Sequence, residues 1–465
     1  MNAISPFDAD LLRRYDRPGP RYTSYPTAPQ FGPEFGEAEF RAVAHRSNED
    51  PIPRPLSLYL HVPYCFSPCF YCGCNRVITR DKAKGAAYLE RLLREIELVA
   101  PLFDRDREVI QLHFGGGTPN FLDPAQLHDV MQALSFQFSF STSPRRDFSI
   151  ELDPRFINPD GIAKLAALGF NRASLGVQDF DPVVQQAVNR IQSVEETLAV
   201  VQACRDHGFR SVNIDLIYGL PKQNLEGFGK TLDTVLEVRP DRLAVYGYAH
   251  LPSLFKPQRQ IQEADLPSPE EKLALLQLAI EKLSAAGYVY IGMDHFALPG
   301  EDLAIAQQQG SLHRNFMGYT THAESDLVGL GVSAISHIGD SYSQNPRDLP
   351  SWEAAIDSGR LPVWRGMQLS EDDVIRADVI QELMCHGRLD IEAIEKRWEI
   401  RFRQYFADDL ARLEPLIADG LVVRTTRGYQ ATERGWLLMR IIAMCFDRYL
   451  HQPDEQQAPR FSKAI

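Results

Sequence analysis

Cys65-Phe66-Ser67-Pro68-Cys69-Phe70-Tyr71-Cys72-Gly73-Cys74 closes an apolar run at residues 56–62 and decides how the rest of the chain is read. Four of the seven cysteines in 465 residues fall in this loop. Thiolates are the natural ligands of iron–sulfur clusters, and the C-x3-C-x2-C spacing groups three of them. A cubane has four irons, so three protein sulfurs leave one iron open to a substrate or cofactor. Zinc is the competing reading, but structural zinc sites draw on two separated Cys/His pairs and no second CxxC is present. Disulfides are disfavoured in a reducing compartment. Core cysteines would recur at strand or helix periods, which these do not. Spacing alone leaves Cys74 as either a fourth ligand or a bystander.

The charge balance, 49 Lys plus Arg against 62 Asp plus Glu, is net −13. That argues against general binding to nucleic acid or anionic membrane. An anionic substrate would need a local basic pocket. The first sixteen residues mix both charges and lack a secretory apolar core. No uncharged apolar run approaches the roughly twenty residues of a membrane span; even 436–446 is interrupted by Arg440. Cys204, Cys385 and Cys445 read as reduced, buried residues. A cytoplasmic monomer is expected.

Residues 1–50 form an arm rich in Pro, Gly and Tyr, including Arg21-Tyr22-Thr23-Ser24-Tyr25-Pro26-Thr27. It reads as a surface strap or a lid. From residue 56, short apolar strands (56–62, 109–114, 148–152, 171–176, 211–217, 242–248) alternate with amphipathic helices such as 86–99, 125–134 and 195–207. Such alternation implies βαβ units and a parallel sheet. The distinctive polar residues fall at the carboxyl ends of these strands. The cysteine loop follows the first and Gly115-Gly116-Gly117-Thr118-Pro119 the second. Glu151 and Asp153 close the third, Gln178 and Asp179 follow the fourth, Asp215 lies in the fifth, and Ala249-His250 follows the sixth. Sites of α/β sheets and barrels gather on that face.

The glycine run lets backbone approach a ligand, or simply makes a tight β–α turn; it has neither nucleotide-loop spacing. Glu151 reads as a ribose or ammonium ligand, or as a salt-bridged strand end. Arg190 reads as a carboxylate partner, or as a solvated helix residue. The small-residue run 329–336 favours close backbone approach, to a cofactor or in packing. The organisation expected is an arm at 1–50, a barrel at 51–310, a connecting segment at 311–365 that contributes to the site, and a unit at 366–465. In the last unit a helix at 406–419, a hairpin at 420–424 and 428–432, and a helix at 435–450 resemble a winged helix. Its charge pattern lacks a continuous basic face, so DNA binding is not its expected role.

Together, the arm at 21–27, the cysteine loop, Gly115–Pro119, Asn213-Ile214-Asp215-Leu216-Ile217-Tyr218-Gly219-Leu220-Pro221, Tyr248-Ala249-His250-Leu251-Pro252 and the C-terminal unit resemble the oxygen-independent coproporphyrinogen III oxidase family of radical S-adenosylmethionine enzymes. The resemblance implies an α/β fold with a partial or complete parallel barrel of that type, an N-terminal arm and a mainly helical, winged-helix-like C-terminal domain. It implies that Cys65, Cys69 and Cys72 bind a [4Fe–4S] cluster whose open iron chelates S-adenosylmethionine. Tyr59, Gly116, Glu151 and Ile335 match positions lining that cofactor. Tyr71, Gly117, Thr118, Gln178, Arg190, Asp215 and Ala249 match positions around a second S-adenosylmethionine; Tyr71 stands where relatives often have Phe.

The implied chemistry is reductive cleavage of the cofactor to methionine and a 5′-deoxyadenosyl radical. Hydrogen abstraction from the β-carbon of a substrate propionate, loss of carbon dioxide and loss of an electron then leave a vinyl group. Twice performed, this converts coproporphyrinogen III to protoporphyrinogen IX, with an electron donor and acceptor that the sequence does not identify. The haem-chaperone branch shares the three cysteines but usually carries Phe at the position of Cys74, so Cys74 and the arm favour the decarboxylase. The resemblance treats Cys74 as important without making it a ligand. Two other functions stay in view: a haem-binding chaperone and a metal-supported regulator acting through the C-terminal unit.

Overall fold

A computed structural model describes residues 9–451 and 461–463. The chain divides into two compact units: Gln30–Pro267 with Glu324–Gln368, and Met1–Pro29 with Ser268–Ala323 and Leu369–Ile465.

The first unit is built on a sheet of six sequential parallel strands: β1 (Leu56–Val62), β2 (Glu108–Gly116), β3 (Asp147–Leu152), β4 (Arg172–Gln178), β5 (Ser211–Tyr218) and β6 (Arg242–Gly247). On the other side of β1 lies β7 (Asp326–Leu330), also parallel, followed by the antiparallel strands β8 (Ile335–Ile338), β9 (Ser341–Gln344) and β10 (Arg365–Gln368). Within this unit the strand order is an open path, so the barrel is partial. β1 is buried at every position except Tyr59, as expected of a strand covered on both faces.

The crossover helices are α1 (Lys82–Val99), α2 (Pro124–Gln137), α3 (Pro159–Ala167), α4 (Val194–Asp206) and α5 (Leu225–Val238). Each begins at a side-chain cap, Asp81, Asp123, Asn158, Ser193 and Asn224 respectively, that accepts a hydrogen bond from the first turn. Pro124 and Pro159 occupy first-turn positions, where a missing N–H costs nothing. These caps fix where each strand's carboxyl-end loop stops.

Gly331, in the small-residue run at 329–336, is used in packing against α1. Gly331 donates its N–H to Glu95 of α1 at 2.7 Å, while Asn345 and Trp352 donate to the same carboxylate. Burial pushes the Glu95 carboxyl up to about 7 against those three donors.

In the second unit, Ala407–Ala418 is followed by a hairpin of Val422–Arg424 and Gly428–Ala431, and Arg388–Asp390 adds a third antiparallel strand. The winged-helix-like order expected from sequence is present, with one correction. The single helix expected at 435–450 is broken into Glu433–Trp436, Met439–Met444 and a 3-10 turn at Arg448–Leu450. Buried Arg440 sits in the middle piece and donates to the carbonyls of Gly19, Pro20, Ser462 and Lys463. The arm tyrosines are buried in the same unit: Tyr22 donates to Asp447 at 2.9 Å, and the Tyr25 hydroxyl accepts from the Arg448 N–H at 3.1 Å.

Candidate functional site

The cysteine loop is held by its backbone. Cys65 ends a two-residue strand paired with Val77–Ile78. Arg76 donates to the carbonyls of Cys69 (3.1 Å) and Cys72 (3.2 Å), Asn189 to Pro68 O (2.7 Å), and Gln258 to Tyr71 O (2.9 Å). The sulfurs receive donors of their own. Thr118 Oγ1 donates to Cys65 Sγ at 3.3 Å, and the Cys74 N–H to Cys72 Sγ at 3.4 Å. Two guanidiniums reach Cys69 Sγ, Arg190 at 3.5 Å and Arg155 at 3.9 Å, with the Asp153 carboxylate bridging them.

The four thiols are not equivalent. A hydrogen bond from the Cys74 side chain draws the Cys72 thiol down to about 6, and the same bond pushes Cys74 well up. That bond favours ionisation at Cys72 over Cys74. Burial pushes Cys65 up to about 11 against the Thr118 hydrogen bond and the nearby charge of Arg76. Among the described residues, no three Cys, His, Asp or Glu side chains converge closely enough for a single metal ion. A cubane takes its protein sulfurs on separate irons rather than on a single ion. Three soft sulfurs, each with a donor, fit the cubane.

Glycines seat the neighbouring loop. Gly116 has φ +112°, and a Cβ there would lie 2.6 Å from the His61 ring; one on Gly117 would lie 2.8 Å from the Pro63 carbonyl. The close approach is thus to the chain leading into the cysteine loop. Gly117 N–H donates to Val62 O at 2.8 Å, which ties the two loops together.

Glu151, at the end of β3, accepts from the Gly116 N–H (3.1 Å) and from His113 Nε2 (3.2 Å), yet its side chain stays 43% exposed. Partial desolvation raises its carboxyl, but the hydrogen bond and charge of His113 and the Gly116 N–H outweigh that and hold it below the usual range. Tyr59 stacks on His113 at 5.9 Å and shares a hydrogen bond of 3.1 Å with His61 Nδ1. His61 Nε2 faces the Asn75 carbonyl at 3.0 Å, so Nε2 carries the proton and Nδ1 accepts from Tyr59. Ile335 lies one strand beyond: Tyr59 is in register with Gly329, whose Cα faces the Ile335 backbone.

Thr118 and Arg190 touch cysteine sulfurs directly, and Tyr71 packs beside the apolar cluster of Val184, Val188, Ile217, Leu220, Tyr248 and Ile261. Asp215 accepts from Ser174 (3.2 Å) and Asn213 (2.8 Å), and burial pushes its carboxyl up to about 6. Gln178 adopts φ +71° at the end of β4, and the Ala249 carbonyl accepts from Gln258 at 3.2 Å.

Two further carboxylates at these strand ends are taken up by protein partners. Asp179 is buried and takes hydrogen bonds from Thr231, Gln223 and the Asp181 N–H, which ties β4 to α5. Asp153 is engaged by Arg155 and Arg190. His113, Ser149 and Arg155 are site residues that the sequence reading missed. For Ser149 a signal existed: it precedes Glu151 by two residues on the same strand and so shares its face.

Residues 59–235 match the family model described as Radical SAM superfamily, a span that holds every residue above from Tyr59 to Asp215. The fold and the thiol loop are those of a radical S-adenosylmethionine protein. Residues 369–438 match a second model, the HemN C-terminal domain. The oxygen-independent coproporphyrinogen III oxidase of Pseudomonas aeruginosa is 52% identical over 459 residues, 99% of each chain. That of Escherichia coli is 50% identical over 99% of this chain and 98% of its own. The solved structure of coproporphyrinogen III oxidase (HemN) from Escherichia coli, described as a radical SAM enzyme, is similar with TM-score 0.91 and 49% identity, covering 96% of this chain and 100% of that one. The chain belongs to the oxygen-independent coproporphyrinogen III oxidase family, which uses a [4Fe–4S] cluster and S-adenosylmethionine. Among the described residues, no helix is long and apolar enough to cross a membrane.

Proposed function

We propose that this chain catalyses the oxidative decarboxylation of two propionates of coproporphyrinogen III to vinyl groups, giving protoporphyrinogen IX. The observation that carries it is full-length identity near 50% to enzymes of that name, joined to a loop in which three sulfurs each have a hydrogen-bond donor. Cys65, Cys69 and Cys72 would hold the cluster, and Cys74 would stay a thiol beside it. When bound, the cluster and S-adenosylmethionine supply reductive cleavage and hydrogen-atom abstraction; the protein positions the reactants and excludes water.

Tyr59, Gly116, Glu151 and Ile335 would line the first S-adenosylmethionine. Glu151 suits that task because both oxygens are oriented by donors while the side chain stays partly exposed. Tyr71, Gly117, Thr118, Gln178, Arg190, Asp215 and Ala249 would line a second molecule. The electron donor and acceptor come from outside the chain, and the reaction belongs in the reducing cytoplasm. Arm residues 1–50, barrel 51–310, connecting segment 311–365 and C-terminal unit 366–465 are the working divisions, with the arm as a substrate lid.

Anaerobic incubation with coproporphyrinogen III, dithionite and S-adenosylmethionine tests the assignment. Vinyl product with 5′-deoxyadenosine supports it. Stable haem binding and transfer without decarboxylation would assign the chain to a chaperone role instead.

A further inference from the structure

Glu151 takes its second donor from a side chain with no role in the assignments above. His113 lies on β2 in register with Ser149 on β3, and both face the side of the sheet that carries Glu151. His113 Nε2 is 3.2 Å from Glu151 Oε1, and His113 Nδ1 is 2.7 Å from Ser149 Oγ. An ionised carboxylate only accepts, so Nε2 must carry the imidazole proton. In the neutral ring Nδ1 is then a bare acceptor, and the Ser149 hydroxyl donates to it. The alternative acceptor for that hydroxyl, Leu112 O, is farther away at 3.3 Å. A directed chain results, from Ser149 O–H to His113 Nδ1 and from His113 Nε2–H to Glu151 Oε1.

The other carboxylate oxygen accepts the Gly116 N–H. Both donors therefore come from β2, and they clamp the carboxylate without closing it off. The imidazole is held flat by Tyr59, stacked at 5.9 Å with an interplanar angle of 16°. A ring locked on one face by stacking and at one nitrogen by a hydroxyl has little freedom to withdraw its donor.

We infer that Ser149 and His113 form a positioning relay that orients Glu151 to grip the polar groups of bound S-adenosylmethionine, a ribose hydroxyl or the α-ammonium. This deepens the assignment of Glu151 and rests on it. His113 is a positioning residue that acts through Glu151. Outer partners of this kind hold metal-binding histidines and carboxylates in one orientation, and here the ligand held is organic.

The test is equilibrium dialysis of S-adenosylmethionine against cluster-reconstituted, unreduced full-length protein, with iron content and thermal midpoint measured in parallel. His113→Phe keeps the stacked ring and removes the donor. It should weaken affinity about tenfold, the effect of one hydrogen bond to a charged group. His113→Gln, whose amide N–H reaches in the same direction, should recover most of that loss, and Ser149→Ala should weaken binding about two- to threefold at the lower end of the range for a neutral hydrogen bond. A merely structural histidine would not be rescued by glutamine at unchanged iron content and thermal midpoint.

If His113→Phe and Ser149→Ala bind like the parent while Glu151→Ala binds weakly, the relay is wrong and the Glu151 assignment stands. If Glu151→Ala itself binds like the parent, the relay falls together with the assignment beneath it.

Discussion

Glu151 and Asp215 occupy one face of one sheet, each within a strand's carboxyl half, and each accepts two hydrogen bonds. Their ionisation nevertheless diverges. Glu151 is held low by an imidazole and a backbone N–H, whereas Asp215 is pushed up to about 6. The donors to Asp215 are a hydroxyl and a side-chain amide, and Glu151 lies near enough to repel it. Burial alone therefore does not set the state of a carboxyl group on this face; the character of its donors and the nearest charge decide. The contrast separates a carboxyl held below its usual range beside the cysteine loop from one pushed up to about 6 further along the sheet.

The largest effect that would break this contrast is on binding. Glu151→Ala should weaken the tighter S-adenosylmethionine site by about 10- to 100-fold, the range for losing a charge-assisted hydrogen bond. Asp215→Ala should leave that site intact and reduce the binding stoichiometry by removing the second. Equilibrium dialysis with labelled cofactor reads both numbers; equal losses at one site in both variants would make the two carboxylates a single site.

Next in size is a pH effect on stability. The Asp215 carboxyl rises in the folded chain from the usual 3.8 to about 6. The unfolded chain therefore ionises first. The contribution of this group is fully present below about pH 4 and is lost as pH rises through about 6. Asp215→Asn removes that loss, so it should match the parent near pH 4 and exceed it above pH 6 by on the order of 2 kcal/mol. Urea unfolding of both proteins at pH 4 and pH 7.5 measures the difference. A gap that shrinks with rising pH would reverse the sign.

The smallest effect belongs to Arg155. Of the two guanidiniums at Cys69, it is the farther and Arg190 remains when it is removed. Arg155→Gln should move the cluster midpoint potential to more negative values, because a positive charge and a sulfur contact favour the reduced, more negative cluster. Redox titration followed by electron paramagnetic resonance measures it; an unchanged or more positive midpoint would place the control of potential elsewhere.

Much of the sheet was legible because its strands are apolar runs separated by capped helices. The expected strand at 56–62 coincides with β1, and the helix expected at 125–134 lies inside α2. The second strand runs further than the apolar signal, to Gly116, because Gly115 and Gly116 pair with His61 and Val62 although glycine contributes no β preference. The cysteines and the glycine run are local spacings and could be read directly. His113 and Arg155 could not, since what each touches depends on registers and loops many residues away. Asp179 shows the converse error: a carboxylate just past a strand end pointed to a site, but Thr231 and Gln223 claim it for the scaffold.

On the proposed assignment, an iron left without a protein sulfur gives the other residues of this face their purpose. Mössbauer spectroscopy of anaerobically reconstituted, iron-57-enriched protein, with and without S-adenosylmethionine, examines that iron directly. The account predicts that one iron of the cubane changes its isomer shift when the cofactor is added, in the parent and in Cys74→Ser alike. Four irons indifferent to the cofactor, or loss of the cluster in Cys74→Ser, would contradict it.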